Sequence, residues 1–159
     1  MLFAVCFHGV RSHPALPEPA TLLTARPPAA PAHGFSALIL EPSLLKRQAL
    51  KRLLRGQGVA RVLEAESATE AFVLLRGEPV RLVLTPWAPP GMAGVRLLRE
   101  LKRRPTDRPG AGAAPAIVLL DEGLPPQQVV AAVKAGISGR LPVPAQAAAL
   151  SRILGALDS

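Results

Sequence analysis

Residues Arg81 to Gly94 read RLVLTPWAPPGMAG, and they combine the two signals from which the fold is predicted. Its first half, up to Thr85, is an apolar run that predicts a strand buried on both faces of a parallel sheet. Its second half is a loop of Pro and Gly that opens a helix at Gly94. In an open α/β sheet, ligands bind at such a strand-to-helix junction. Yet no Asp, Glu, His, Ser or Cys lies between Arg81 and Gly94.

The same pattern of a strand followed by a helix repeats on both sides of this stretch. Short apolar runs predict strands over residues 36–40, 59–65, 80–85, 115–120 and 139–143. Leucine and alanine at helical spacing predict helices over residues 44–54, 67–75, 94–103, 125–135 and 145–157. Ser67 and Glu70 have capping-box spacing, and Gly136 can end the fourth helix. Apolar strands joined by amphipathic helices predict a parallel sheet covered on both faces.

Residues 1–33 differ in composition from the rest of the chain. They contain HPALPEP and ARPPAAPAH, show no apolar period, and predict a disordered Pro- and Ala-rich extension before one domain over residues 34–159. The sequence has a single cysteine, so no internal disulfide can form. No apolar run reaches the roughly 20 residues that a membrane span needs. We therefore expect a cytoplasmic protein with no membrane span.

Four landmarks at the predicted strand ends identify a family resemblance. They are LILEPS after the first strand, LVLTPWAPPGMAG at the third, AIVLLDE at the fourth and KAGISGRLPVP into the fifth. In order and spacing, residues 36–157 resemble a response-regulator receiver domain of two-component signalling. The resemblance implies a flavodoxin-like (βα)5 three-layer sandwich, with a five-stranded parallel sheet in the order 2-1-3-4-5.

In active receivers, five positions at the strand ends carry the phosphorylation chemistry. Two acids hold Mg²⁺, an Asp accepts the phosphoryl group, a Ser or Thr bonds its oxygen, and a Lys pairs with its charge. By resemblance, these positions are occupied here, in chain order, by Glu41, Pro42, Pro86, Asp121 and Val143. A phosphoaspartate needs a nucleophilic carboxylate, and Pro86 supplies none. The sequence therefore predicts a receiver that has lost its acceptor.

The resulting interpretation is a degenerate receiver with no enzyme activity and no cofactor. It would act through phosphorylation-independent contacts with a signalling protein, such as a histidine kinase or another response regulator, or with a second copy of itself. Receivers tend to use the face of the fourth helix, fifth strand and fifth helix for such contacts. By resemblance, that face includes Val129, Val130, Val133, Leu141 and Arg140, which takes the place of the aromatic switch residue.

Other interpretations of the strand-end residues are also open. Carboxylate oxygens that could bind Mg²⁺ or Ca²⁺ are supplied by Glu41, Asp121 and Glu122. The third strand, however, should separate Glu41 from Asp121 and Glu122. Thr85 offers a hydroxyl but has no base beside it in the sequence. Trp87 is either a ring packed over the loop or an anchor for a partner.

The net charge of +8 points to acidic partners. A basic patch along the third helix and into the following loop comprises Arg96, Arg99, Lys102, Arg103 and Arg104. The first helix carries a second basic set. Either set could contact phosphates, so a basic nucleic-acid-associated protein reusing the receiver fold is the alternative function. Neither set has interleaved aromatic residues for base stacking, and an acidic protein partner suits them equally.

Overall fold

The computed structural model describes residues 33–103 and 114–158, and strands and helices alternate along this part of the chain. The strands are β1 (His33–Leu40), β2 (Val59–Ala65), β3 (Leu82–Pro86), β4 (Ala116–Asp121) and β5 (Gly139–Pro142). The helices are α1 (Leu44–Gly56), α2 (Ala68–Gly77), α3 (Gly94–Lys102), α4 (Pro126–Ala135) and α5 (Ala147–Leu157). None of the helices in the described ranges is both long and apolar enough to cross a bilayer.

The five strands form one parallel sheet in the order β2-β1-β3-β4-β5. The predicted flavodoxin-like fold and strand order are therefore confirmed. β3 lies at the centre, with Leu38 of β1 opposite Val83 and Val118 of β4 opposite Leu84. Because β3 is paired on both sides and covered on both faces, Leu82, Val83, Leu84 and Thr85 are all buried.

Two apolar clusters fill the space above and below the sheet. Side chains alternate between the faces of a strand, so Ile39 belongs to one cluster and Leu38 and Leu40 belong to the other. α1 and α5 cover the first face with leucines that include Leu54 and Leu154. α2 and α3 contribute to the second cluster. This is the three-layer arrangement expected from apolar strands and amphipathic helices.

Local sequence signals set several helix ends as predicted. The Ser67 hydroxyl accepts the backbone N–H of Glu70 (3.2 Å), and the Glu70 carboxylate accepts the N–H of Glu66 (2.9 Å). In a standard capping box the carboxylate would bond the N–H of the cap residue itself, so here the return bond falls one residue earlier. Gly136 ends α4 in the left-handed conformation, with φ of 93°.

The largest difference from the predicted boundaries is at β1, which begins at His33 rather than Ser36. The His33 backbone N–H donates to the carbonyl of Gly58 (3.0 Å), so pairing beside β2 extends the strand into the segment assigned to the extension. The centre of the His33 ring lies 5.5 Å from the centre of the Phe35 ring. Residues 1–32 lie outside the described residues, and the disordered extension remains a prediction there.

Arg81 joins the start of β3 to the end of the last helix. Its Nη2 donates to the carbonyl of Leu157 (2.9 Å), and its guanidinium lies 5.5 Å from the centre of the Phe35 ring. A cation at a helix C-terminus is favoured by the helix dipole. This bond therefore stabilises the position of α5 against the sheet.

The loop after β3 is fixed by contact between Trp87 and Gly94. A Cβ atom on Gly94 would lie 2.7 Å from Cδ2 of the Trp87 ring, closer than real carbon contacts come, and would also collide with the Trp87 carbonyl oxygen. Trp87 is half-buried and packs against the second cluster. The ring is thus packed over the loop, which was the first of its two interpretations.

We expect Gly94→Ala to lower the free energy of unfolding by about 1–3 kcal/mol, because the new methyl group overpacks this contact. Urea unfolding measures the change. Gly155→Ala is the matched control: Gly155 lies inside α5, and a Cβ there meets nothing within 4 Å. The control should be neutral or up to about 1 kcal/mol more stable. Equal effects of the two substitutions would contradict the packing account.

Candidate functional site

The carboxyl ends of all five strands meet at one edge of the sheet because the strands are parallel. The residues assigned by resemblance to phosphorylation chemistry lie along this edge. Glu41 and Pro42 directly follow β1, Pro86 is the last residue of β3, Asp121 is the last residue of β4, and Val143 follows β5. The fold therefore brings the five positions to one region, as the resemblance requires.

Glu41 holds the turn between β1 and α1. It is 6% exposed, and its Oε1 accepts the backbone N–H of Ser43 (3.0 Å). Its carbonyl accepts Nη1 of Arg47 (2.8 Å). One carboxylate oxygen is thus engaged by the protein's own backbone, and Pro42 beside it has no side-chain oxygen to offer a metal.

Arg47 is a buried cation that the sequence interpretation left within the basic set of α1. Its Nη2 bonds Oε1 of Glu66 (3.1 Å), and its Nε lies 3.4 Å from Oε1 of Glu64. Lys51 bonds Oε2 of Glu64 (2.6 Å). The pKa of Glu64 is lowered mainly by Lys51 and to a smaller extent by Arg47. The signal was present in the sequence, because Arg47 shares the helical spacing of the buried face of α1.

The end of β3 presents no free nucleophile. Thr85 is 1% exposed, and its hydroxyl donates to the carbonyl of Pro86 (2.9 Å). Pro86 is half-buried and has no polar side-chain atom, and Trp87 turns away to pack on α3. Thr85 is therefore a buried polar residue near the end of the strand, with its hydroxyl engaged by the backbone.

Asp121 organises the loop between β4 and α4. Its Oδ1 accepts the backbone N–H groups of Gly123 and Leu124 (both 2.9 Å), and its Oδ2 bonds Nη1 of Arg140 (3.2 Å). The pKa of Asp121 lies below its ordinary value. The largest cause is the backbone bond from Leu124, followed by the bond from Gly123 and then by the charge of Arg140. Asp121 is therefore a charged, fully engaged carboxylate that links the strand edge to β5.

Glu122 turns away from Asp121 and pairs with Lys46 at the start of α1. The hydrogen bond with Glu122, and to a smaller extent the charge of Glu41, raise the pKa of Lys46. The carboxylates of Glu41, Asp121 and Glu122 thus form their hydrogen bonds and ion pairs with different groups. Within residues 33–103 and 114–158, no three His, Cys, Asp or Glu side chains come close enough to hold a metal ion.

The surface assigned by resemblance to partner contacts is divided by the structure. Val130 and Val133 of α4 are 51% and 60% exposed, Val129 is half-buried, and Arg140 is exposed. Leu141, however, is fully buried in the first cluster, so its assignment to this surface is wrong. Successive side chains of a strand point to opposite faces, and Leu141 points into the core when Arg140 points out.

The described members of the basic patch on the third helix are all exposed; they are Arg96, Arg99, Lys102 and Arg103. The ammonium group of Lys102 lies against Gly136, where α4 ends, and fills the space that a Cβ there would need. Lys102 therefore contacts the end of α4 although it is exposed, and Arg104 lies outside the described residues.

The chain is similar to receiver domains by sequence and by structure. The family model described as "Response regulator receiver domain" matches residues 37–154. A CheY chemotaxis homologue of Campylobacter jejuni is 31% identical over 67% of this chain and 79% of its own length. The sensor histidine kinase AruS of Pseudomonas aeruginosa is 33% identical over 86% of this chain, which spans 13% of that kinase.

Among solved structures, a response regulator from Chloroflexus aurantiacus superposes with a TM-score of 0.68 at 20% identity. The match covers 79% of this chain and 99% of that one. At this identity the likeness supports the fold. The family-model match and the sequence relatives support the family.

We expect Asp121→Ala to lower the free energy of unfolding by about 1–2 kcal/mol at neutral pH, because two backbone donors lose their acceptor. The folded pKa of Asp121 is depressed, so its contribution is present above the ordinary carboxyl pKa of 3.8 and is lost as the pH falls through the lowered value. Urea unfolding across a pH series should show the difference from wild type shrinking below about pH 4.

The matched control is Glu122→Ala in the same loop. Its carboxylate is 48% exposed and makes a surface ion pair, so we expect a loss of less than about 1 kcal/mol. A difference for Asp121→Ala that stays constant through the acid range would show that its charge does not stabilise the loop.

Proposed function

The chain belongs to the response regulator receiver domain family, and from this premise we propose that it is a degenerate receiver that signals without being phosphorylated. Receiver domains work in two-component signalling and interact with histidine kinases and phosphotransfer proteins. The observation that carries the proposal is that β3 ends at Pro86, which takes the acceptor position by resemblance and has no carboxylate.

The neighbouring acids do not replace the missing nucleophile. Glu41 accepts the Ser43 amide, and Asp121 accepts two amides and an arginine. A carboxylate that is engaged in this way must lose those bonds before it can attack a phosphoryl group. The negative charge of Asp121, which its partners maintain, would also repel the incoming group.

The cations that phosphoryl transfer requires are absent from these positions as well. Developing negative charge on the transferred group needs Mg²⁺ and a positively charged side chain. The residues do not fit Mg²⁺, because Pro42 supplies no side-chain ligand atom and one carboxylate oxygen of Glu41 already accepts the Ser43 amide. Val143 stands in the lysine position, where its side chain packs against the first cluster.

The ion pair between Asp121 and Arg140 supports a signalling surface that has one fixed conformation. By resemblance, these two residues occupy the Ser or Thr position and the aromatic switch position, which respond together to phosphorylation in active receivers. Here they form an ion pair at 3.2 Å. The pair holds the β4–α4 loop and β5 in one arrangement with no phosphoryl group, so the partner surface would be permanently formed.

The proposed partner surface is the exposed face of α4 with Arg140. Val130 and Val133 present apolar side chains that can bury against a histidine kinase, another response regulator or a second copy of this chain. A protein that acts in this way needs neither a cofactor nor enzyme activity. Its expected place is the cytoplasm.

We expect Mg²⁺ with beryllofluoride to leave the protein unchanged, because no carboxylate at the end of β3 can take up the phosphoryl analogue. Trp87 is the one tryptophan of the chain and lies beside this position, so its fluorescence, together with NMR amide shifts, is the readout. Saturable changes centred on Pro86 in the wild type would overturn the proposal.

Two variants make this test sharper. Pro86→Asp alone should stay silent, because Asp121 and Val143 still disfavour the bound anion. The combination of Pro42→Asp, Pro86→Asp, Asp121→Thr and Val143→Lys rebuilds all the positions and should respond. A response from the single variant would show that the acceptor alone had been lost.

We expect Val130→Ser with Val133→Ser to abolish capture of a signalling protein from native lysate by the full chain. The matched control is Val73→Ser on α2, which is 59% exposed and should retain the captured protein. Mass spectrometry identifies what is bound, with and without nuclease. Material that disappears with nuclease, or that survives the α4 substitutions, would contradict contact through this surface.

A further inference from the structure

The outer face of α3 carries three arginines that have no partner in the described part of the chain. Arg96, Arg99 and Arg103 are spaced at i, i+3 and i+7, so they share one face of the helix. All three are exposed. None forms an ion pair or a side-chain hydrogen bond with any residue of 33–103 or 114–158.

The basic set of α1 behaves differently. Lys46 pairs with Glu122, Arg47 with Glu64 and Glu66, and Lys51 with Glu64. The remaining arginines of α1 line a groove that also contains three glutamates. Three of the five cations of α1 are therefore paired by the fold itself, whereas the three α3 arginines form no ion pair within the described residues, even with Glu100 on the same face.

Helix stability does not account for the α3 arginines. Cations near a helix C-terminus are favoured by the helix dipole, which suits Arg99 and Arg103. Arg96 lies in the first turn, where the dipole disfavours a positive charge, and no acidic residue occupies that turn. A cation that costs stability and has no partner among residues 33–103 and 114–158 suggests a role outside the folded chain.

The packing of α3 keeps these arginines turned outward. Leu97, Leu98 and Leu101 are buried in the second cluster, and Lys102 packs at the end of α4. Rotation of the helix would expose the three leucines. The arginine face is therefore a rigid surface, and its side chains need little backbone ordering when they bind.

We propose that Arg96, Arg99 and Arg103 form a docking surface for an acidic protein segment. Arginine binds carboxylates with two parallel hydrogen bonds, and three arginines on one helix face match carboxylates that recur every three or four residues on a partner helix. This surface lies on α3, so its role does not depend on the loss of phosphorylation or on the α4 surface.

A nucleic acid fits this surface less well. Binding to three phosphates would change log K with log salt concentration by a slope of only about −2.7. Three such contacts are too few for strong binding to a nucleic acid. The sequence of α3 has no aromatic residue for base stacking, and the nearby Trp87 ring is packed on Gly94. Carboxylates on a protein are therefore the favoured anions.

The test uses the full chain and two probes, poly-L-glutamate of defined length and a short DNA duplex of random sequence. Fluorescence anisotropy measures binding to each. The test variant combines Arg96→Gln, Arg99→Gln and Arg103→Gln. The matched control combines Arg52→Gln, Arg55→Gln and Arg152→Gln, which remove the same charge from exposed positions on α1 and α5.

We expect the α3 variant to bind poly-L-glutamate about tenfold more weakly than wild type, and the control less than about twofold more weakly. NMR shifts caused by poly-L-glutamate should fall on α3, and circular dichroism should show both variants folded. Equal losses in the two variants would overturn the proposal in favour of net charge. Tighter binding of the duplex, lost in the α3 variant, would replace the acidic segment with nucleic acid.

Discussion

The central strand β3, which is paired on both edges and covered on both faces, organises the sheet and both of its layers of helices. Its backbone groups bond to β1 and β4, so its apolar side chains leave water on both sides of the sheet. The parallel register then places the ends of the neighbouring strands side by side. Every feature of the candidate site follows from this alignment, including the separation of Glu41 from Asp121 by the end of β3.

At the carboxyl ends of the strands, the protein's own donors and cations stabilise the acidic side chains. Glu41, Asp121 and Glu122 would repel one another, or attract a cation, if they were free. Instead, backbone amides, Arg140 and Lys46 each take one of them. Donors that belong to the protein need not be recruited from solution. The edge is therefore organised by the protein's own groups, which supports the proposal of signalling without phosphorylation.

Much of this architecture could be predicted because its signals are local. The apolar runs, the serine cap at Ser67 and the left-handed Gly136 each act within a few residues. What sequence missed depends on distant partners: β1 begins at His33 because of Gly58, and Arg47 is buried because Glu64 and Glu66 end the adjacent strand. Leu141 was placed on the surface by resemblance alone, and the alternation of side chains along β5 turns it into the core beside the exposed Arg140.

The contact between the Trp87 ring and Gly94 limits which substitutions evolution can accept at these two positions. The large ring is accommodated because the helix opposite it begins with a residue that has no side chain. A substitution at either position alone leaves a collision or a hole. The atom nearest to a Cβ at Gly94 is the backbone carbonyl oxygen of Trp87, which any residue at that position carries. Glycine should therefore persist in relatives that lose the ring, and those relatives should carry a compensating bulky side chain nearby.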